Sequence, residues 1–245
     1  MIVAISVLFW AIVALTCPLF FLGAVVVWAV TLPFDRRRVV LHLYSSAWAA
    51  FYIYVNPLWR IRVSGRHLLP WRGGAVLVAN HSSLVDVLAL FALFRPYKWV
   101  SKASMFKVPL MGWNMRLNGY VPLVRGSGTS VRTMMARCGS LLRAGAPVFF
   151  FPEGSRSADG RLGTFKMGAF SLAVDHQVPV YPIAVWGTRD ALPKHGLTFR
   201  QRANIRVQVL PPLLPADHPT AEELRDATHR VLAEALAASP APEGG

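Results

Sequence analysis

Residues 79–86, ANHSSLVD, lie between two apolar runs of different character. The run before them, residues 74–78 (GAVLV), is short and rich in valine, which is typical of a buried strand. The run after them, residues 87–94 (VLALFALF), is longer and predicts a helix. A strand followed directly by a helix is a building unit of α/β folds. Ser82 and Ser83 are candidate caps for the start of that helix.

The chain repeats this alternation from residue 60 onward. Predicted strands lie at residues 61–64, 74–78, 97–100, 119–124, 147–151, 180–186 and 204–210. Predicted helices lie near residues 85–94, 104–117, 130–144, 168–176 and 220–237. We therefore expect an α/β fold with a central mixed sheet flanked by helices over residues 60–238. The Pro- and Gly-containing tail, residues 239–245, is expected to be disordered.

The N-terminal residues 1–33 contain no charged residue, which exceeds the roughly 20 apolar residues that span a bilayer. Residues 35–38 (DRRR) follow, and their arginines predict that this end of the segment stays cytoplasmic. Because the chain starts with apolar and not basic residues, the pattern favours an uncleaved anchor over a secretory signal peptide. Pro18 is a candidate kink or break in the segment.

Residues 41–59 form a second apolar stretch that is rich in Tyr and Trp. Because these side chains favour the membrane interface, we expect a second membrane-embedded or interfacial helix here. A buried core helix is the alternative. Together with the first segment, this stretch predicts N-terminal membrane-anchoring helices over residues 1–59.

The composition narrows the choice of partners. A net charge of +14 suits an anionic membrane surface, a phosphorylated substrate or a nucleic acid. Nucleic acid is not expected, because the sequence shows no recognisable binding module and no obvious aromatic stacking platform in a basic loop. The two cysteines, Cys17 and Cys138, have the spacing of neither a metal site nor a disulfide framework, so no metal is expected.

His81 and Asp86 are candidates for a proton-transfer pair. Asp86 is the only carboxylate between Asp35 and Glu153. A neutral imidazole can take a proton from an alcohol, and a carboxylate on its other nitrogen would fix the tautomer. A spacing of five puts two side chains roughly 140° apart on one helix, so they meet only if His81 precedes the helix. Alternatively, Asp86 merely complements the helix N-terminus and His81 is an ordinary polar residue.

Residues 149–157 (FFFPEGSRS) form a second notable stretch, in which an aromatic strand runs into a polar turn. Gly154 would let the backbone approach a ligand closely. Arg156 offers a planar fork suited to phosphate oxygens. The alternative is an ordinary surface turn, in which a pair between Glu153 and Arg156 contributes little.

Two further stretches carry features of a binding pocket. Residues 119–125 (GYVPLVR) predict a strand that ends in Arg125, and Lys102 and Lys107 follow the strand predicted at residues 97–100. Any one of these side chains is explained by solvation, but together they can build a positive pocket near His81. Residues 178–183 (VPVYPI) are most simply a structural strand that forms a pocket wall.

These stretches resemble the four sequence blocks of the glycerolipid acyltransferases, specifically the bacterial 1-acylglycerol-3-phosphate acyltransferases. The blocks are His81-x4-Asp86, residues 119–125, residues 151–156 and residues 178–182, in the family's order and approximate spacing. The similarity runs from about residue 73 to residue 212, and the N-terminus also looks like the family's membrane-binding helices. Ser155 stands where the family usually has threonine, which conserves the hydroxyl.

The resemblance implies acyl transfer from acyl-CoA or acyl carrier protein to the sn-2 hydroxyl of 1-acylglycerol-3-phosphate. The product would be phosphatidic acid, an intermediate of phospholipid biosynthesis. It implies His81 as the general base, oriented by Asp86. Backbone N–H groups near Gly154 are candidate oxyanion donors. The implied substrate-binding residues are Lys102, Arg125, Glu153, Gly154, Ser155 and Arg156, and for Glu153 the two roles considered are ordering its loop and contacting the glycerol.

The implied partners are a lysophospholipid acceptor, the acyl-CoA or acyl carrier protein donor and an anionic membrane surface. No cofactor is expected beyond the donor, which is itself a substrate. The expected location is the cell inner membrane, with the catalytic domain facing the cytoplasm. One alternative is a different lysolipid acceptor, such as a lyso-ornithine lipid or another lysophospholipid. A remoter alternative is a membrane-tethered lipid hydrolase that combines His81 and Asp86 with an unrecognised serine.

Overall fold

The computed structural model describes residues 2–157, 159–192, 198–199 and 201–238. Its strands are β1 (Trp59–Ser64), β2 (Val76–Ala79), β3 (Lys98–Lys102), β4 (Val121–Leu123), β5 (Val148–Phe150), β6 (Val180–Trp186) and β7 (Ala203–Val209). Its helices are α1 (Ile2–Thr31), α2 (Val39–Val55), α3 (Val85–Phe91), α4 (Met111–Leu117), α5 (Gly128–Arg143), α6 (Gly168–Asp175), α7 (Thr188–Ala191) and α8 (Ala221–Ala237). The tail predicted to be disordered, residues 239–245, lies outside the described residues.

The seven strands form one mixed sheet in the order β1-β7-β6-β2-β5-β3-β4, which confirms the predicted α/β class. Only the pairing of β6 with β7 is antiparallel among the pairs within the described sheet. The five strands β6, β2, β5, β3 and β4 therefore run in the same direction. Their carboxyl ends meet at one edge of the sheet, which we call the carboxyl edge, and ligands of open α/β sheets bind at this kind of edge.

Helices cover both faces of the sheet. Alternate residues of β2 face opposite layers, with Leu77 packed under α1, α2 and α3, and Val76 and Val78 packed under α5, α6 and α8. All four residues of β2 are buried. Burial on both faces explains why this strand reads as an uninterrupted apolar run and not as an alternating one.

The helix predicted at residues 104–117 is divided in two. A 3-10 helix covers Ala103–Lys107, and α4 begins only at Met111. Pro109 disfavours helical geometry in the residue before it, and Leu110 then has φ 60° and ψ −61°, outside the helical region. A non-glycine residue in such a conformation costs about 1–3 kcal/mol.

Helix α1 packs on the domain along one side and is exposed along the other. Phe9 and Ala24 are buried, whereas Val7, Leu15 and Leu19 are each more than 60% exposed. The helix continues through Pro18 without a break and contains 30 residues. By length and composition it can cross a membrane, since 30 residues extend about 45 Å.

Helix α2 is shorter than the helices that qualify by length and composition as membrane spans, and of the alternatives for residues 41–59 its burial favours the buried core helix. It is 17 residues long and nine of them are buried, including polar ones. His42 Nδ1 lies 2.8 Å from the hydroxyl of Tyr120, and Asn118 Nδ2 donates to Ser45 Oγ over 3.0 Å. Buried polar groups need such partners, so this face of α2 is matched to the domain and not to lipid. The aromatic content of residues 41–59 alone could not distinguish a membrane helix from a buried core helix.

Lys98, the first residue of β3, is buried at the amino end of the strand with 5% exposure. Its ammonium donates to the carbonyl of Asn118 over 2.7 Å. Burial lowers the pKa of Lys98 from 10.5 to about 7, and the charge of nearby Arg38 acts in the same direction. The folded protein therefore releases the Lys98 proton at a lower pH than the unfolded chain does.

This shift predicts a pH dependence of stability. Between pH 7 and about pH 10.5 the unfolded chain holds a proton that the folded protein has released, so Lys98 makes the free energy of unfolding rise with pH. We expect the stability of wild type relative to Lys98→Met to increase across this window, measured by chemical unfolding in detergent micelles. The exposed Lys107→Met is the control and should follow wild type at every pH. If the free energies of unfolding of wild type and Lys98→Met changed in parallel with pH, the lowered pKa of Lys98 would be contradicted.

Candidate active site

The predicted site residues lie together at the carboxyl edge. His81 follows β2, Glu153 follows β5, Lys102 is the last residue of β3 and Arg125 follows β4. These four strands are neighbours and run parallel, so the loops after them share one side of the domain. Residues that are up to 72 positions apart in the sequence are thereby brought to one surface.

His81 and Asp86 are in direct contact, with 2.8 Å between Nδ1 and Oδ2. His81 lies in the turn before α3 and Asp86 in its first turn, which is the arrangement that the spacing of five requires. A carboxylate can only accept, so Nδ1 carries the proton and Nε2 carries the lone pair. The imidazole is 13% exposed, while the Asp86 side chain is fully buried.

Asp86 accepts hydrogen bonds on both oxygens. Oδ2 also receives the backbone N–H groups of Ser82 at 2.7 Å and Ser83 at 2.8 Å, and Oδ1 receives the hydroxyl of Thr188. These donors stabilise a carboxylate that has no contact with water. Of the two serines expected to cap α3, Ser83 accepts from the N–H of Val85 at 3.3 Å, whereas the Ser82 hydroxyl lies 3.1 Å from Thr188 Oγ1.

The backbone of His81 is fastened to the loop after β5. Its N–H donates to Glu153 Oε1 over 2.8 Å, and its carbonyl accepts from the N–H of Ser157 over 2.8 Å. The imidazole stacks on Phe151 with 3.9 Å between ring centroids and 14° between planes. His81 is therefore fixed through its backbone, its ring face and its Nδ1 atom, which leaves Nε2 as the reactive position.

Glu153 orders this loop. Its second oxygen, Oε2, accepts from the N–H of Gly163 over 3.0 Å, so the two oxygens join the β2 loop to the segment before α6. Partial burial raises the pKa of Glu153, and the two N–H donors oppose that shift. Of the two roles considered for Glu153, loop order or contact with a glycerol, the geometry supports the first.

Gly154 does not supply the free N–H group that was considered for an oxyanion. Its N–H donates to the carbonyl of Phe151 over 3.0 Å and closes the turn. Gly154 has φ 72°, and a Cβ there would lie 2.9 Å from Lys166 Cε. The glycine therefore serves a left-handed turn that brings Lys166 against the loop. Ser155, next in the chain, is exposed.

The basic residues lie at increasing distances from His81 across the sheet. Neighbouring strands are about 4.8 Å apart, so the loop of Arg156 follows the strand next to that of His81, whereas Lys102 is two strands away and Arg125 three strands away. Lys102 and Arg125 are exposed and Arg156 is partly buried. An anionic group bound near His81 is therefore within reach of Arg156 first, then Lys102, and least of Arg125.

A family model described as Acyltransferase matches residues 60–186, which is more than half of the chain and includes every residue of the site described above except Thr188. The chain belongs to the acyltransferase family. The chain is 40% identical over 178 residues to the chloroplastic 1-acyl-sn-glycerol-3-phosphate acyltransferase LPAT1 of Arabidopsis thaliana. That alignment covers 72% of the chain and 49% of the relative, so the chain spans about half the length of that protein.

Two other proteins are similar over more of their own length. The 1-acyl-sn-glycerol-3-phosphate acyltransferase beta of Homo sapiens is 31% identical over 231 residues, covering 91% of this acyltransferase-family chain and 82% of the human protein. The crystal structure of the 1-acyl-sn-glycerophosphate acyltransferase PlsC from Thermotoga maritima superposes with a TM-score of 0.77 at 22% identity. It covers 99% of this chain and 97% of PlsC, which shows that the two share a fold.

Three residues of the acyltransferase-family site were missed by the sequence analysis. Thr188, the first residue of α7 after the Gly187 turn, binds Asp86 from beyond the stretch of residues 178–183 that was expected to form a pocket wall. Phe151 was read as part of a strand and not as the ring under His81. Asn80 mimics a peptide group, accepting from Val185 N–H and donating to Val185 C=O, both at 2.8 Å. The signal available for Asn80 was a polar residue directly after a buried strand, and for Thr188 it was a polar residue one position further on, after Gly187.

Proposed function

We propose that the protein transfers a fatty acyl group from a thioester to the sn-2 hydroxyl of 1-acylglycerol-3-phosphate, giving phosphatidic acid. The observation that carries the proposal is the His81–Asp86 pair, whose 2.8 Å contact through Nδ1 leaves Nε2 as the proton-accepting position on an imidazole that is 13% exposed. The names of the chloroplastic and human relatives support this acceptor. Acyl-CoA and acyl carrier protein both carry the acyl group as a thioester, so either can serve as the donor in this reaction.

The proposed reaction is a direct displacement at the thioester carbonyl. Nε2 of His81 takes the acceptor hydroxyl proton as its oxygen bonds to the carbonyl carbon. The tetrahedral intermediate collapses, the C–S bond breaks, and the imidazolium returns the proton to the leaving thiolate. Asp86 stabilises the imidazolium between these steps, which is the role of the buried acid in triads. No acyl-enzyme forms, and the Ser82 and Ser83 hydroxyls are bound to Thr188 and to the Leu192 carbonyl.

The surroundings of the site fit a phosphorylated, membrane-borne acceptor. Basic residues dominate the adjacent strand ends, and guanidinium and ammonium groups bind phosphate well. Helix α1 exposes apolar side chains that a bilayer would cover. We place the protein at the inner membrane with its site on the cytoplasmic side, as the arginines after α1 suggest.

A panel of acceptors and donors tests the proposal on membranes that contain the full chain. We expect labelled phosphatidic acid from 1-acylglycerol-3-phosphate with acyl-CoA, acyl carrier protein or both. Activity on lysophosphatidylcholine or a lyso-ornithine lipid, with none on 1-acylglycerol-3-phosphate, would show that the proposed acceptor is wrong. Release of free fatty acid without transfer would show that the protein is a hydrolase and not an acyltransferase.

Replacing Arg156 by alanine should weaken acceptor binding. Because Arg156 is on the loop adjacent to His81, we expect the KM for 1-acylglycerol-3-phosphate to rise about tenfold with a smaller change in kcat, as for loss of one charged hydrogen bond. Initial rates over a range of acceptor concentrations measure this. Arg132→Ala, an exposed arginine on α5, is the control. An unchanged KM for Arg156→Ala would remove it from the acceptor site.

Replacing Thr188 by valine should reduce turnover, because it removes one donor from Asp86 while keeping the side-chain shape. We expect kcat to fall about tenfold with KM nearly constant, since one hydrogen bond to a charged group is worth about 1.5–3 kcal/mol. Thr188→Ser keeps the hydroxyl and should restore most of kcat. Equal losses in both variants, with equal losses of thermal stability, would show that Thr188 only fills space.

A further inference from the structure

The domain carries an apolar projection beside the candidate site, residues 108–113 (VPLMGW), which we call the 108–113 tip. It follows β3 and the 3-10 helix, and α4 must then return to the amino end of the sheet because β4 runs parallel to β3. The tip therefore lies at the carboxyl edge. Met111 and Trp113 are each 47% exposed, and the tip contains no charged residue. Val108 is 36% exposed as well, and a cluster of exposed apolar residues rimmed by polar ones is typical of an interaction surface.

The tip has a fixed and unusual conformation. Met111 N–H donates to the Pro109 carbonyl over 2.6 Å across Leu110, whose φ is 60°, which forms a γ-turn that residues with a Cβ rarely adopt. A Cβ on Gly112 would lie 2.6 Å from the Phe106 carbonyl, so glycine lets α4 begin directly against the 3-10 helix. Strained backbone that persists in a folded protein clusters at functional positions.

The tip is continuous with the exposed apolar side of α1. The rings of Trp113 and Phe21 are in contact, with 5.6 Å between centroids and 60° between planes. Leu22, the next residue of α1, is 62% exposed, as are other leucines along that helix to similar degrees. A bilayer that covers this side of α1 therefore also meets the tip.

The charges around the tip are basic. Lys107 and Arg116, on either side of it in the chain, are both exposed, and residues 87–152 contain no acidic residue. An apolar tip with a tryptophan and basic neighbours matches the interface of an anionic phospholipid bilayer. The same charges disfavour a second copy of this chain as the occupant, because the two basic surfaces would repel each other.

We propose that the 108–113 tip inserts into the interface of an anionic phospholipid bilayer, as a membrane contact made by the α/β domain itself. Met111 and Trp113 lie among the upper acyl chains, and Lys107 and Arg116 lie at the level of the phosphates. This contact sets the height of the carboxyl edge above the membrane, because Lys102 is separated from the tip only by the 3-10 helix.

Depth-dependent quenching tests the proposal without using enzyme activity. The full chain carrying Met111→Cys in a Cys17→Ala background is labelled with an environment-sensitive fluorophore and reconstituted into phosphatidylcholine–phosphatidylglycerol vesicles. Cys138 is fully buried and burial raises the pKa of its thiol to about 12, so it stays unlabelled. The control is Glu234→Cys, an exposed position on α8 in the opposite layer.

We expect a nitroxide on the lipid acyl chain to quench the label at position 111 several-fold more than the label at position 234. Equal quenching at the two positions would overturn the proposal. Efficient bismaleimide cross-linking of Met111→Cys into dimers, without lipid quenching, would overturn it in favour of a contact between copies.

A second measurement rests on the proposed function. Met111→Glu should raise the KM for acceptor carried in anionic vesicles several-fold and leave the KM for a monomeric short-chain acceptor unchanged, while Met111→Leu should match wild type in both. A rise for both acceptors would contradict an interfacial role. Absence of acyl transfer by wild type would defeat the proposed function alone, since the quenching result stands independently.

Discussion

Replacing His81 by alanine should abolish turnover and leave the fold intact. The imidazole is the basic group that the structure holds by its backbone, its ring face and its Nδ1 atom. Loss of a general base of this kind lowers rates by about 10²–10⁴-fold, and we expect kcat to fall within that range or below detection. The measurement is transfer of labelled acyl groups to 1-acylglycerol-3-phosphate, with membrane binding and thermal unfolding recorded on the same preparation.

The matched control for this variant is His67→Ala. His67 is an exposed histidine after β1, and β1 runs opposite to β6, so its carboxyl end lies at the other edge of the sheet. It should retain wild-type kcat. A His81→Ala protein that is folded and within about tenfold of wild-type kcat would exclude His81 as the base, since even weak general-base catalysis exceeds that factor.

Replacing Asp86 by asparagine should lower kcat by about 10²-fold, less than the loss of His81, because the geometry survives but the charge does not. The amide oxygen can take the place of Oδ2 and accept from the N–H groups of Ser82 and Ser83. The amide NH₂ then faces the Thr188 hydroxyl, which can act as acceptor. What is lost is the negative charge that stabilises the imidazolium. Rates and thermal unfolding of the same sample separate this loss from misfolding.

Asp175→Asn is the control for the Asp86 variant, since Asp175 is an exposed carboxylate at the end of α6. It should match wild type in rate and stability. If Asp86→Asn retained full kcat, Asp86 would serve only the folding of the turn before α3. If it lost stability as well as activity, Thr188→Val would distinguish the two roles, because it removes one partner of Asp86 and keeps the charge.

The sequence predicted the sheet well because its strands are short apolar runs separated by polar turns. All seven predicted strands are present, and the contact of His81 with Asp86 followed from the position of the helix start. Periodicity failed at α4, where Pro109 and the turn at Leu110 interrupt an apolar pattern that reads as one helix. It also failed to show that the polar face of α2 is buried, since burial depends on partners that are distant in the sequence.

The candidate site was predicted only in part, because some of its residues are defined by partners that are distant in the sequence. Motif order identified residues on β2 and β5, where the polar residues follow the strands directly. Thr188 was not found because its role is defined only by a hydrogen bond to a residue 102 positions away. The role of Glu153 was left open because a carboxylate that binds backbone N–H groups has no sequence signature that separates it from one that binds a substrate.

The two hydrogen bonds between the backbone of His81 and residues 153–157 have a mechanical consequence. Because the N–H and the carbonyl of His81 are both hydrogen-bonded to the loop that carries Arg156, a shift of that loop moves the imidazole with it. In the proposed reaction, a head group bound by this loop would therefore also shift Nε2 of His81, so acceptor binding and alignment of the reacting nitrogen would be coupled. A ligand too short to contact the loop would bind without aligning that nitrogen.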